Sequence, residues 1–137
     1  MERKLKHLEM IQGIINRMAS NSFLLKGWSL TLVVALIALS VDKTTFLFVL
    51  VAALPCLVFW GLDGYFLRQE RLFRRVYDEV RVKKPEEIDF SMKWSEKAGK
   101  EEKSWIRVCI SGTLLAFHGV VLAVVLSLAF LFYCAGR

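Results

Sequence analysis

Side chains that do chemistry are scarce in this sequence. It has two histidines and three cysteines, and no spacing joins them. Cys56, Cys109 and Cys134 fall inside or at the ends of separate apolar runs, with no C-x-x-C pair. They read as small apolar side chains in helices rather than metal ligands or redox partners. No glycine-rich nucleotide loop, metal-ligand cluster, G-x-S-x-G elbow or cysteine matched to a histidine is present. These absences point away from an enzyme, and no cofactor or metal is expected. Helix breakers are scarcer still, Pro55 and Pro85 being the only prolines, so a helix begun after Pro55 has nothing to stop it before Pro85. There is no internal repeat, no low-complexity tract and no heptad pattern long enough for a coiled coil.

What the chain has in abundance is apolar length. Residues 28–41 and 46–62 form two apolar runs separated only by residues 42–45, and a third run, 108–134, has His118 as its one ionisable imidazole and no Lys, Arg, Asp or Glu. A membrane-crossing helix needs about 20 mostly apolar residues, because the hydrocarbon layer is roughly 30 Å thick and each residue rises 1.5 Å. The second run reaches that length with Tyr65 and Phe66. The first reaches it with Phe23, Leu24 and Leu25, the Lys26 ammonium snorkelling to the headgroups. What is left over is too little for a sizeable soluble core. The first run starts after residue 22, is too long for an h-region and is followed by no A-x-A site, so it does not read as a cleaved signal peptide.

Charge then orients the chain. Arg3, Lys4, Lys6, Arg17 and Lys26 precede the first run, and twelve further Lys and Arg lie between Arg68 and Arg107. Only Lys43 and Arg137 fall on the opposite side, so the positive-inside rule places the N-terminus in the cytoplasm and the C-terminus in the periplasm. The expected fold is all-α: an integral membrane protein with three transmembrane helices and a cytoplasmic helical extension. Its expected parts are a cytoplasmic amphipathic helix at 1–22, a transmembrane hairpin of two spans at 23–66, a stalk helix and charged connection at 67–107, and a third transmembrane helix at 108–137.

In the first part Leu5, Leu8, Ile11, Ile15 and Met18 recur at three- and four-residue steps. Such a helix lies in the headgroup plane or packs on a cytoplasmic helix; the lack of Trp or Phe and the modest Lys/Arg content speak for packing. Residues 20–22 are expected to bend the chain before the first span. Pro55 is expected to kink the second span, and Trp60 and Tyr65 suit the interfacial belt. Beyond it, Phe66, Phe73, Val76 and Val80 make an apolar stripe on the stalk, expected to be an assembly surface covered by the N-terminal helix or by a neighbouring subunit. Glu70 with Arg74, Arg74 with Asp78 and Arg75 with Glu79 are i,i+4 pairs. Residues 91–103 are polar and are expected to be the most mobile part; Trp94 and Trp105 are expected near the interface.

Three constellations stand out in the spans. Gly112, Ala116, Gly119, Ala123 and Ser127 align on one face of the third span, the pattern by which helices approach closely in lipid, either within the chain or between subunits. His118, ~15 Å along that helix from Val108, is expected near the bilayer middle. It either lines or gates a polar path, or is a neutral imidazole bonded to a neighbouring helix. Asp63 is expected in an interfacial ion pair with Lys26 and Arg68. The basic belt suits the bilayer and its anionic lipid headgroups. Acidic residues nearly as dense dilute it as a phosphate-tracking stripe, so nucleic acid is not an expected partner.

HLEMIQGIINRMASNSFLLKGW at 7–28, LDGYFLRQERLFRRVYD at 62–78 and EIDFSM at 87–92 resemble small bacterial multi-span membrane proteins. The architecture is similar to the SLATT-type antiphage membrane effectors, and also to the membrane accessory protein of Cas13b systems; the third apolar run departs from the two-span SLATT plan. The resemblance implies a homo-oligomeric, pore-like effector that perturbs the inner membrane when a cytoplasmic protein sensor detects phage. The alternative is a membrane anchor or scaffold subunit that recruits a soluble partner through its cytoplasmic helices, without a pore.

Overall fold

The computed structural model describes residues 1–40 and 51–135. The turn expected at 42–45, residues 46–50 of the second apolar run and Arg137 lie outside the described residues. All regular structure among the described residues is helical.

Helix α1, Glu2–Ser40, has 39 residues and spans about 58 Å at 1.5 Å per residue. Glu2 in its first turn suits the positive end of the helix dipole. No bend occurs at residues 20–22. Serine interrupts helices when its hydroxyl competes for backbone groups, but the Ser22 hydroxyl is turned inward and bonded to Asp63. Lys26 Nζ also donates to Ser22 Oγ, one turn on, at 2.9 Å. A tertiary partner removes the competition, and the helix runs through.

Helix α2, Ala53–Val82, packs antiparallel on α1 along most of its length. A turn at Ala52 precedes it. Pro55, three residues further, has no N–H for the Val51 carbonyl and sits in the first turn of α2, where the missing donor costs little. The expected kink falls on a local interruption at Ala52, between helical Val51 and α2. At the other end Lys83 and Lys84 are extended, with ψ of 151° and 154°, because the ring of Pro85 disfavours helical backbone before it. A single 3-10 turn, Pro85–Glu87, reverses the chain. Lys4 Nζ donates to the Arg81 and Lys83 carbonyls at 2.7 and 2.8 Å, so the start of α1 caps the end of α2.

The chain then climbs back along α2 as α3, Glu96–Glu101, and α4, Trp105–Cys109. Residues 91–103 are docked rather than loose. Ser95 Oγ accepts from Ala98 N at 3.1 Å as an N-cap and donates to Glu79 Oε1 at 2.6 Å. Arg75 holds Glu101 and Glu102 at 2.9 and 3.1 Å. These tertiary bonds replace the local pairing expected of Arg75 with Glu79, while Glu70 and Arg74 do pair, at 2.8 Å. Trp94 packs edge-on against Phe73, with ring centroids 6.1 Å apart, on the stalk rather than at its apolar end.

Helix α5, Gly112–Cys134, includes one π-helical turn at Leu115–Gly119. It begins four residues later than the apolar run suggests. The backbone leaves the helix at Ile110 (ψ 12°) and is extended at Ser111 (ψ 149°). Trp60 Nε1 donates to the freed Cys109 carbonyl at 2.8 Å, which makes the break tolerable.

Two apolar clusters result. At the lower end, where α1 begins and α2 ends, Ile11 and Ile15 pack on Val76, Val80 and Ile88. At the upper end Val33 of α1, Ala53 and Cys56 of α2, and Val125 and Ala129 of α5 form a three-helix core. Helices α1 and α5 are long and apolar enough to cross a membrane, and only 17% and 22% of their most apolar stretches are buried within the chain.

Candidate functional site

Between the two clusters lies a polar layer built by three helices. On α1, Ser22, Lys26 and Ser29 follow one another at steps of four and three, so they share the face that continues upward as Val33. On α2, Cys56, Trp60 and Asp63 do the same. The π turn of α5 contributes His118. A π turn is uncommon and marks functional sites often enough to be informative.

Asp63 is fully buried and is the hub. Its Oδ1 accepts from the Ser22 hydroxyl. Its Oδ2 accepts from Lys26 Nζ at 2.6 Å and from His118 Nε2 at 2.8 Å. A lone carboxylate in apolar surroundings is prohibitively costly, so donors on two other helices are what allow it to remain there. Because the carboxylate accepts, His118 Nε2 carries the hydrogen and Nδ1 holds the lone pair of the neutral ring. With neutral histidine the group sums to zero charge, +1 from Lys26 and −1 from Asp63.

Aromatic rings enclose the imidazole. Trp60 stacks on it with centroids 5.8 Å apart and planes 13° from parallel, and Phe117 meets it edge-on at 5.0 Å. The His118 carbonyl accepts a weak bond from Cys56 Sγ at 3.8 Å. Two buried polar atoms in or beside this layer, His118 Nδ1 and Ser29 Oγ, have no partner among the described residues. Buried polar atoms are normally satisfied, so these two are exceptions that need a cause.

The arrangement differs from a nucleophile triad. There the imidazole stands between hydroxyl and carboxylate; here Asp63 stands between Ser22 and His118. No group of three His, Cys, Asp or Glu side chains among the described residues is placed to hold a metal ion. The three cysteines are free, Cys56 buried, Cys109 half-buried and Cys134 exposed.

The structure separates several residues grouped by sequence and joins others. Asp63 meets Lys26, but Arg68 does not take part: its Nε donates to the Lys103 carbonyl at 3.1 Å. His118 is not mid-helix. Because α5 starts at Gly112, it lies in the second turn, level with Asp63. It also parts company with the small residues. His118 points into its own bundle, whereas Gly112, Ala116, Ala123 and Ser127 are exposed and Gly119 is half-buried. The stalk stripe is not free as an assembly surface. Val76 and Val80 are buried against Ile11 and Ile15, Phe73 is half-buried beside Trp94, and Phe66 is half-buried against Tyr65.

Sequence reading missed the seam that fixes this layer. Trp105 Nε1 donates to the Gly61 carbonyl at 3.0 Å. Gly64 lets α4 approach so closely that a Cβ there would lie 2.3 Å from Cys109 Sγ. Two glycines three residues apart beside Trp60 were the available signal. A second buried histidine closes the lower end. His7 Nε2 donates to the Ser91 carbonyl at 3.1 Å and its ring meets Phe90, whose φ of 56° is left-handed and costly for an aromatic residue. Arg3, 5.7 Å above the Phe90 ring, helps hold that conformation.

No family model matches the chain, and neither a curated protein nor a solved structure matches it. Nothing in these comparisons ties it to the effector families its sequence resembles.

Proposed function

We propose that this is a non-enzymatic, three-span bacterial inner-membrane protein that self-associates in the bilayer into a pore-like, membrane-perturbing assembly. The observation that carries this reading is the outward direction of the small face of α5. Gly112, Ala116, Ala123 and Ser127 are exposed, and among the described residues none of them belongs to the three-helix core. In lipid, helices associate by close backbone approach at such faces rather than by hydrophobicity. The second support is the sealed lower end, which leaves the anchor-and-scaffold alternative without the apolar stalk stripe it would use. The polar layer of Lys26, Asp63 and His118 then acts as the lock that holds each protomer's three helices together. The N-terminus and the basic connection face the cytoplasm, where a sensor protein would reach them, and the C-terminus faces the periplasm. This membrane activity does not depend on the antiphage setting, which the sequence resemblance alone implies.

The test is membrane potential, read with a dye in cells expressing wild type, Ala116→Leu or Ala123→Leu. Both positions are exposed, so the fold should tolerate leucine. Wild type should depolarise cells and migrate in detergent as a multimer, and both variants should lose the two properties together. A wild-type protein that runs as a single chain and leaves the potential untouched would overturn the pore and favour the scaffold.

A further inference from the structure

On the outer side of α2 and α4 an open groove of about 460 Å³ is lined by Leu57, Val58, Gly61, Leu62, Tyr65 and Trp105. Its walls are apolar, and the indole N–H of Trp105 is already spent on Gly61. Directly below, Arg68, Lys103, Ser104 and Arg107 line a second, polar hollow together with Lys100, Glu101 and Glu102. Groove and hollow meet at the Ser104–Trp105 bond and, on α2, within one turn between Tyr65 and Arg68. The acidic residues of the hollow are neutralised from outside it. Arg75 holds Glu101 at 2.9 Å and Glu102 at 3.1 Å, and Arg71 stands 3.8 Å from Glu102. Arg68 is used through Nε alone, for the Lys103 carbonyl. Lys103 and Arg107 have no acidic partner among the described residues. An apolar slot therefore opens onto three cations that lack counter-ions.

We propose that groove and hollow form one binding site for an anionic glycerophospholipid of the cytoplasmic leaflet, an acyl chain lying in the groove and the phosphate among Arg68, Lys103 and Arg107. This rests on the membrane reading above. Charge complementarity selects the occupant. A zwitterionic headgroup brings its own cation, while a net negative one satisfies all three side chains. Basic pockets at the cytoplasmic ends of membrane helices hold such headgroups. The aromatic pair Tyr65 and Trp105 sits at the junction, where interfacial rings belong. The site also accounts for the half-exposed Trp105, whose other face would be covered by the chain.

The test uses the full chain in nanodiscs of mixed phosphatidylglycerol and phosphatidylcholine, with the lipid that stays bound after detergent extraction counted by mass spectrometry. Wild type should retain phosphatidylglycerol in preference. Arg68→Gln and Lys103→Gln should each reduce that preference about fivefold, the effect of one cation near an anionic surface. The single variants Arg81→Gln and Lys84→Gln, equal to the site variants in charge removed but placed at and just beyond the far end of α2, should each leave it unchanged. Val58→Trp, which fills the groove, should lower retention of both lipids. Equal losses in the site and control variants would overturn the site and leave only a diffuse basic surface. Displacement by excess glycerol 3-phosphate, which has the phosphate without the chain, would overturn the lipid as occupant. Alkaline extraction from native membranes separates the two readings. Release of the wild-type chain would sink the membrane proposal itself, whereas retention with no headgroup preference would sink this one alone.

Discussion

Below Asp63, α1 and α2 meet through Ile11, Ile15, Val76 and Val80, each no more than 3% exposed. The chain itself closes that end with the 83–104 return, the Lys4 cap and the Arg75 clamp. Above Asp63 the same two helices and α5 share a core of mostly small residues, Ala52, Ala53, Cys56 and Ala129 with Val33 and Val125, and leave Leu54, Leu57, Val58, Phe130 and Leu131 more than half exposed. One half is complete within a single chain. The other is finished only by something apolar around it. A chain built this way has one self-contained end, and on the proposed reading the open surfaces of the other end meet lipid or further copies. The polar layer sits where the two regimes meet, and that position makes it the most sensitive point of the fold.

The largest effect is therefore expected at Asp63. Asp63→Ala leaves the half-buried Lys26 ammonium and the buried His118 imidazole without their shared acceptor, at a cost of about 3 kcal/mol. Thermal unfolding in detergent should show the drop. The double variant Asp63→Leu/Lys26→Leu should recover much of it, because removing both charges is far cheaper than removing one. If the double variant were as unstable as the single, the layer would be valued for hydrogen bonds rather than for charge balance.

Ile11 and Ala123 represent the filled and the open half. Ile11→Ala empties a filled site and should cost about 2–5 kcal/mol, with no change in self-association. Ala123→Leu, on the open face of α5, should leave unfolding of the single chain within about 0.5 kcal/mol while weakening contact between copies. Unfolding measured at several protein concentrations separates the two. If Ala123→Leu destabilised the isolated chain as strongly as Ile11→Ala, the contrast between the halves would fail.

A smaller effect is expected at the seam between α2 and α4. A Cβ on Gly64 would lie 2.3 Å from Cys109 Sγ, so Gly64→Ala should cost about 1–3 kcal/mol of overpacking. Cys109→Ala removes the offending sulfur, and the nearest remaining Cys109 atom, Cα, is 3.6 Å away, an ordinary contact. The double variant should regain most of the loss. Failure to do so would mean that Gly64 is needed for its backbone freedom rather than for space.

Much of this was legible in the residues, and what was not has identifiable reasons. The apolar stripes of α1 and of the stalk predict each other, since two amphipathic helices in one short chain have little else to cover them. Lys26 and Asp63 are the ionisable groups nearest the apolar runs on their two helices, and they pair as expected. His118 stands nearer the start of its helix than the apolar run suggests, because residues 110–111 carry no proline and no glycine to announce the break. The helix stops there for a tertiary reason, the Trp60 bond to the Cys109 carbonyl. The docking of residues 91–103 was invisible for a similar reason, because its bonds run from Arg75 and Glu79 to residues more than a dozen positions away. Periodicity reports which face of a helix is buried. It does not report which long-range polar bond ends the helix or holds the connection that follows.

The smallest effect belongs to the sealed end and tests whether that end depends on local polar turns as well as on its apolar cluster. The Ser91 amide donates to Asp89 Oδ1 at 3.1 Å, and Lys83 Nζ lies 4.0 Å from the same oxygen. The amide hydrogen bond, with the Lys83 charge behind it, holds the Asp89 carboxyl below its ordinary value. A carboxylate whose folded pKa is depressed stabilises the fold above its unfolded pKa of about 3.9, and loses that contribution as pH falls through the lower folded value. Asp89 is exposed, so the contribution is small. Melting temperatures between neutral pH and the carboxylate range should therefore fall slightly less on acidification for Asp89→Asn than for wild type. The same comparison at high salt should retain most of the difference, because a backbone hydrogen bond is screened less than a surface ion pair. If salt abolished it, Lys83 rather than the Ser91 amide would be the main source of the shift. The reversal at Pro85 would then be held electrostatically, unlike the rest of the end it closes.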